Sequence, residues 1–225
     1  MPKSLSGKKL GIIHAALITT RAVQRYLDEV VPEVEVVHFV DDTIQNTNFA
    51  CAPGTIPPGN YAKFVQAALS QQEYGVDLIL LACSTFNRAV EHARPMIKTP
   101  LLQIDRPMMD LAVRQGGRIG LIATVPTTVP ASERLLRLAA SEAGRTVEVK
   151  TSLCSEAFAA IKAGKVDRHN ELLLAEIDRL SGEVDAIVLA QLSMSALEPH
   201  LGSTKVPVYN SGRTAFTHIR EFLER

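Results

Sequence analysis

The chain has 225 residues, of which 46% are hydrophobic and 21% charged, and its formal net charge at pH 7 is zero. This length allows one large domain or two small lobes with an ample core. The balanced charge, with no run of lysines and arginines, argues against nucleic acid or a membrane surface as a partner. The sequence shows no apolar run of membrane-spanning length, no signal peptide and no disulfide or zinc pattern among its three cysteines. We therefore expect a cytoplasmic protein with reduced thiols.

Hydrophobic periodicity predicts alternating strands and helices along the whole chain. The predicted strands cover, in chain order, residues 8–13, 34–40, 76–82, 101–105, 118–123, 146–151, 185–190 and 206–209. The predicted helices cover residues 19–31, 61–74, 87–97, 108–116, 131–143, 158–163, 169–180 and 213–225. Residues 44–59 are rich in Asn, Pro and Gly, and we expect them to form a long irregular loop, a candidate lid. Such alternation predicts an α/β fold with parallel sheets covered by helices.

One apolar run, over residues 76–82, leads directly into Cys83, Ser84 and Thr85. The run is too short for a buried helix and is typical of a strand that is covered on both faces. In open parallel sheets, ligands bind at the carboxyl ends of the strands. A thiol and two hydroxyls at this place therefore indicate a candidate catalytic site, although a lone cysteine there can also be a small buried hydrophobe.

The stretch that contains Cys83 has a counterpart in the second half of the chain. Three segments recur in the same order at nearly one spacing: 77–85 as 185–193 (185 − 77 = 108), 11–20 as 120–129 (120 − 11 = 109), and the residues around Pro100 as those around Pro207 (207 − 100 = 107). We interpret this as two homologous lobes related by a pseudo-twofold axis, with Cys83 and Gln191 on opposite sides of one cleft. The expected lobes are residues 1–104 plus 210–225 and residues 105–209, because the last helix has no partner in its own half.

The paired strand ends Ala82-Cys83-x-Thr85 and Leu189-Ala190-x-x-Ser193, with an Ile-Ala-Thr segment from Ile122 between them, resemble the aspartate/glutamate/hydantoin racemase superfamily. Arylmalonate decarboxylase and maleate isomerase belong to the same group. The resemblance implies two pseudosymmetric lobes, each a roughly four-stranded parallel sheet flanked by helices, with the active site between them. It also implies proton transfer beside the carboxylate of a small acid or amino acid, with no cofactor and no metal, in a homo-oligomer (a dimer or larger).

In that superfamily two cysteines face each other across the substrate α-carbon, and Cys83 matches the first of them. Gln191 occupies the position of the second, and an amide neither gives up nor accepts a proton near neutral pH. Racemisation would then need another base, from Cys51, Cys154 or His14, although a spectator thiol is the simpler interpretation of each of the two cysteines. Decarboxylation of a malonate-type acid and cis–trans isomerisation of a maleate-type acid need one thiol only. The alternative from another class is a non-catalytic protein that binds a small acid.

His14 ends the first predicted strand, at the position where glutamate racemases carry an aspartate thought to assist the first cysteine. A neighbouring imidazolium would lower the pKa of Cys83, so we expect a His14–Cys83 pair, with a structural histidine as the alternative. The N–H groups of the turn after Cys83 would also favour an anion. The remaining candidates are expected to bind substrate: Asn48, Ser84, Thr85, Thr124, Thr127, Thr128, Leu192 and Ser193. The three threonines of this set can alternatively cap the helix that follows them.

Overall fold

The computed structural model of the protein describes residues 4–225 and contains two four-stranded parallel sheets, of strand order β2-β1-β3-β4 and β6-β5-β7-β8. The strands are β1 (Lys9–His14), β2 (Glu35–Val40), β3 (Leu78–Leu81), β4 (Leu101–Gln103), β5 (Arg118–Ala123), β6 (Glu148–Leu153), β7 (Ala186–Leu189) and β8 (Val208–Asn210). The helices are α1 (Ile18–Val30), α2 (Asp42–Phe49), α3 (Pro58–Tyr74), α4 (Arg88–Ala93), α5 (Arg106–Gln115), α6 (Thr128–Glu142), α7 (Ser155–Lys162), α8 (Val166–Ser181) and α9 (Ser211–Leu223), with a 3₁₀ segment at Leu192–His200. The predicted α/β fold class is confirmed.

The two sheets repeat one another in topology and in register. In the first, β1 lies between β2 and β3, and Ile13 is paired with Leu81. In the second, β5 lies between β6 and β7, and Ile122 is paired with Leu189. The short strands β3 and β7 consist of Leu, Ile, Val and Ala and are buried along their whole length, as expected for central strands covered by helices.

The two aspartates that begin the repeated stretch play the same structural part in each lobe. Asp77 Oδ2 accepts a hydrogen bond of 2.7 Å from the backbone N–H of Lys9, and Asp185 Oδ2 accepts one of 2.9 Å from that of Arg118. Each carboxylate therefore ties the start of β3 or β7 to the start of the neighbouring central strand. These two equivalent hydrogen bonds are structural support for the duplication, in addition to the spacing of the repeated sequence.

The C-terminal helix α9 packs on the first sheet although it follows the last strand of the second. Phe216 of α9 stacks on Tyr26 of α1, with ring centroids 5.6 Å apart, and both belong to the hydrophobic cluster that covers one face of β1. The position of the lobe boundaries along the chain, at residues 104/105 and 209/210, stays a prediction. Within residues 4–225 no helix is long and apolar enough to cross a membrane.

The prediction of an irregular region over residues 44–59 is wrong at both ends, since residues 58–59 already belong to α3. Residues 44–49 belong to α2, which begins after Asp41, whose side chain accepts a hydrogen bond of 3.0 Å from the N–H of Thr43. This N-cap stabilises a helix whose several Asn and Thr residues have low helix propensity. The loop proper is residues 50–57, and it reaches the second lobe because a Cβ at Gly54 would lie 3.3 Å from Pro130.

We predict that Gly212→Ala lowers the free energy of unfolding by about 1–3 kcal/mol, the usual cost of overpacking a core. An added Cβ would lie 2.2 Å from the Tyr26 ring, which outweighs the better helix propensity of alanine. Gly202→Ala is the matched control, because an added Cβ there has no neighbour within 4 Å among the described residues. Denaturant unfolding of the two variants checks this, and equal midpoints would contradict it.

Candidate active site

Cys83 follows β3 at the carboxyl edge of the first sheet and is 7% exposed. Its Sγ lies 3.8 Å from Gln45 Oε1 of α2, to which the thiol donates. The N–H groups of Thr85 and Phe86 also face the sulfur, as the expected anion-binding turn requires, and they lower its pKa. Burial outweighs them and raises the pKa of Cys83 to about 12. The raised pKa therefore favours the protonated thiol at neutral pH.

The expected His14–Cys83 pair does not form, because the two side chains lie on opposite faces of the first sheet. Extending the β1–β3 register by two residues places Ala15, not His14, beside Cys83. Ala15 and Cys83 share the hydrophobic cluster on the α3 and α4 side. His14 instead contacts Thr19 of α1, so the prediction of an imidazolium beside the thiol is wrong.

The hydrogen bonds of His14 fix its tautomer. The Thr19 hydroxyl donates to the carbonyl of Ala16 at 2.7 Å, so it accepts from His14 Nδ1–H, also at 2.7 Å. His14 Nε2 is then the acceptor for His38 Nδ1–H at 2.9 Å. Burial, followed by repulsion from His38, lowers the pKa of His14 to about 4. His14 is thus a neutral, fully buried histidine at physiological pH.

Gln191 follows β7, in the position equivalent to Cys83. Its Oε1 accepts hydrogen bonds from the backbone N–H of Thr124 at 2.6 Å and from the Thr124 hydroxyl at 2.9 Å. Because a backbone N–H can only donate, the amide oxygen is fixed toward Thr124 and the NH₂ group points away from it. Gln191 therefore offers two N–H donors where the superfamily pattern has a thiol.

The two lobes meet through threonines at the carboxyl ends of their central strands. Thr85 Oγ1 lies 3.1 Å from Thr128 Oγ1, which joins the Cys83 turn to the start of α6. Thr127 stands at the N-cap position of α6 without a side-chain cap bond, and its buried hydroxyl has no partner among residues 4–225. The capping alternative therefore does not apply to Thr127. Both Thr85 and Thr127 line a cavity of ≈ 100 Å³ between α4 and α6, closed on one side by residues 54–56.

The other predicted substrate-binding residues lie in different surroundings. Ser84 is buried beside Asp105. Asn48 is buried within the first lobe, where its Oδ1 accepts from Asn60 at 2.8 Å. Leu192 is part of the hydrophobic cluster on β1, whereas Ser193 is exposed. The cavity is lined by Thr85 and Thr127 of the predicted set and not by the others.

Three residues near Cys83 were not predicted: Gln45, Asn87 and Asp105. Gln45 falls in the segment predicted to be irregular, so no face could be assigned to it. Asn87 lies four residues after Cys83 and Asp105 follows β4, at the same carboxyl edge. The sequence signal that could have identified Asn87 and Asp105 is a polar residue shortly after a strand of a parallel sheet.

The remaining thiols, Cys51 and Cys154, are free and partly exposed. Cys154 follows β6, and its N–H donates to the carbonyl of Ala123 at 2.8 Å, so it lies at the carboxyl edge of the second sheet. Burial raises the pKa of Cys154. Among residues 4–225, no three His, Cys, Asp or Glu side chains are grouped in a way that would hold a metal ion.

Structures of several racemases share this arrangement of two lobes. An aspartate racemase homologue from Pyrococcus horikoshii has a TM-score of 0.76 at 16% identity, over 97% of this chain and 100% of that one. The Picrophilus torridus aspartate racemase has a TM-score of 0.70 at 16% identity, over 96% and 94% of the two chains. At this level of identity the likeness concerns the fold, which is that of the two-lobed racemases.

Sequence comparison extends the likeness from fold to family. The family model of Asp/Glu/Hydantoin racemase matches residues 10–219. The glutamate racemase of Trichodesmium erythraeum is 28% identical over 202 residues, which are 87% of this chain and 71% of that enzyme. The glutamate racemase of Picosynechococcus sp. is 30% identical over 156 residues, 68% of this chain and 52% of that enzyme. The chain therefore belongs to the Asp/Glu/hydantoin racemase family, and membership supports an enzyme of the isomerase class.

We predict that His14 makes the fold less stable in mild acid. Its folded pKa of about 4 lies below the unfolded value of 6.5, so the unfolded chain takes up the proton first as the pH falls. Between about pH 7 and pH 5 this should remove about 2 kcal/mol from the free energy of unfolding. His14→Gln should lack this part of the pH dependence. Urea unfolding at both pH values checks it, and an unchanged difference in the variant would contradict the assignment.

Proposed function

We propose that the protein is a cofactor-independent racemase-like isomerase that transfers a proton at the carbon beside the carboxylate of a small acid or amino acid. Cys83 is the group that exchanges the proton. The observation that carries this proposal is a buried thiol at the carboxyl end of β3, within a chain that matches a racemase family over residues 10–219.

The groups around Cys83 suit an anionic substrate. The N–H groups of Thr85 and Phe86 already face the sulfur. Thr127 lines the same cavity as Thr85, and its hydroxyl is buried without a partner among residues 4–225. Fixed donors of this kind stabilise a carboxylate and, more strongly, the enediolate that forms beside it. We assign the NH₂ group of Gln191 to the same task, since its oxygen is held by Thr124.

A second candidate, decarboxylation of a malonate-type acid, is favoured by two observations together. Gln191 carries no transferable proton, and Cys83 rests as a thiol rather than a thiolate. In this reaction the C–C bond to one carboxylate breaks, carbon dioxide leaves, and its electron pair stays on the remaining acid as an enediolate. The Cys83 S–H bond then breaks, its proton joins the carbon, and water reprotonates the thiolate. Nucleophilic isomerisation of a maleate-type acid instead needs the thiolate from the start.

Replacement of the thiol separates an enzyme from a binding protein. We expect the wild type to exchange, invert or decarboxylate one member of a panel of amino acids, hydroxy acids, malonates and maleate in deuterated water, followed by NMR. Cys83→Ala should lower this rate by at least ~10²-fold, a typical contribution of acid–base catalysis, and should leave ligand affinity nearly intact. Cys154→Ala is the control and should keep the rate. Equal rates in wild type and Cys83→Ala would overturn the role of Cys83, and binding without turnover would favour a binding protein.

Replacement of Gln191 tests whether Cys83 is the only side chain that exchanges a proton with the substrate. Gln191→Cys should place a second thiol opposite the first and raise the rate of stereochemical inversion at least ~10-fold over the wild type. Gln191→Asn, which has no ionisable proton, should not do so. Deuterium would enter on both faces of the product only in Gln191→Cys. Inversion at the wild-type rate in both variants would mean that another residue already supplies the second base.

A further inference from the structure

Gln45 is the side chain that meets the sulfur of Cys83, and the proposed proton transfer does not use it. Cys83 Sγ lies 3.8 Å from Gln45 Oε1, so the thiol donates its S–H to the amide oxygen. The two residues come from different segments, because Gln45 lies in α2 and Cys83 follows β3. Ile44, the preceding residue, fills the core beside Cys83, whereas Gln45 is partly exposed. The core therefore does not need Gln45 as a filler, and its direct contact is with the thiol.

The backbone of Gln45 is held against the carboxyl end of β1, the strand that pairs with β3. The Gln45 N–H donates to the carbonyl of Ala15 at 3.2 Å, directly after β1. On the other side, the carbonyl of Ile44 accepts from Asn60 Nδ2 at 3.2 Å. Ala15, Ile44 and Cys83 belong to one hydrophobic cluster. Helix α2 therefore brings the Gln45 side chain to the sulfur from a fixed backbone, and the amide group at its end can still turn, because that torsion is broad and roughly two-fold.

A primary amide can pair with both protonation states of a thiol. Its oxygen accepts a hydrogen bond and its NH₂ group donates two, while a thiol is a weak donor and a weak acceptor. A thiolate can only accept. Once the proton has left Cys83, the lone pairs of Gln45 Oε1 would face a negative sulfur. A turn of about 180° at the end of the side chain would then present the NH₂ group instead.

We propose that Gln45 is a positioning residue for Cys83, which accepts the S–H bond of the resting thiol and turns its NH₂ group to the sulfur when the proton leaves. No proton passes to or from Gln45. In decarboxylation the S–H bond breaks, the proton joins the carbon, the electron pair stays on the sulfur, and the amide N–H bonds to it. In the racemase-like reaction the same donor favours the thiolate that takes a proton from carbon. Only these two consequences rest on the proposed function.

The first test observes the S–H bond itself. In a Cys51→Ser/Cys154→Ser background, Cys83 is the single thiol, and its S–H stretching band lies in an infrared region that other protein groups leave clear. Gln45→Met keeps the length of the side chain and removes the amide acceptor, so the band should move to higher frequency. Gln45→Glu keeps an oxygen acceptor at the same place, so the band should stay at or below its wild-type frequency. Gln45→Leu takes the place of Gln45→Met if that variant does not fold.

The second test observes the thiolate, in the same background. Because burial raises the pKa of Cys83 to about 12, its alkylation by a small neutral reagent at about pH 9 follows the thiolate fraction. A hydrogen bond to a charged group contributes a factor of ~10 or more, so Gln45→Met should react ~10-fold more slowly than the parent protein. Gln45→Glu lacks the NH₂ group and should be at least as slow, although it keeps the S–H band. A packing role would not separate the two measurements in this way.

The matched control is Gln24→Met, which makes the same change on α1, where the amide donates to Asp28 at 2.8 Å. Both measurements should keep their parent values there, and equal changes in this control would contradict the proposal. An unmoved S–H band in Gln45→Met would overturn the contact, and undiminished alkylation in Gln45→Glu would overturn the role of the NH₂ group. Neither measurement needs a substrate. A negative result here would therefore leave the proposed function standing, and loss of that function in the substrate panel would leave this interaction standing.

Discussion

The alternation of side chains along parallel strands decides which groups can act on Cys83. Because β1 and β3 pair with Ile13 opposite Leu81, Cys83 shares a face with Ala15, and His14 turns to the other face. The thiol is thus enclosed by the apolar side of the first lobe and by Gln45 of α2. Its protonation state follows from that enclosure, since burial outweighs the two backbone N–H groups that favour an anion.

The duplication of the chain preserved structure more strictly than chemistry. Asp77 and Asp185 make the same bond to the start of the neighbouring strand, so this contact is retained in both lobes. The strand ends have diverged, with Cys83 beside Ala15 in one lobe and Gln191 bonded to Thr124 in the other. In the second lobe, the hydroxyl and the backbone N–H of Thr124 hold the amide oxygen of Gln191. The NH₂ group of Gln191 is thus a hydrogen-bond donor at the position where the resemblance implies a second thiol. The two equivalent strand ends are therefore chemically different, although the two sheets repeat one another.

The sequence was sufficient for the α/β class, the duplication into two similar halves, and the place of Cys83 and Gln191 at equivalent strand ends. These features follow from hydrophobic runs and from the spacing of the repeat, both of which are visible in the order of residues along the chain. The orientation of His14 could not be predicted, because a shift of one residue in register moves a side chain to the opposite face. Helix α2 was missed because a single cap at Asp41 and tertiary burial outweigh weak propensity. The contacts of Gln45 with Cys83 and of Asp105 with Asn87 join distant segments of the chain, which no local pattern encodes.

The protonation state of Cys83 constrains the choice of reaction more than the presence of a cysteine at this position does. A group that must first remove a proton from carbon needs its base form, and a buried thiol with a raised pKa is poor at providing it before substrate binds. A group that donates to an enediolate needs the acid form, which is the one present at rest. Substrate binding could reverse this only by bringing positive charge or further N–H donors to the sulfur, and the NH₂ group of Gln191 is a neutral donor. The resting thiol is therefore in the form that the second candidate, decarboxylation, uses directly. The racemase-like reaction proposed first requires the bound substrate to lower the pKa of Cys83 before a proton is taken from carbon.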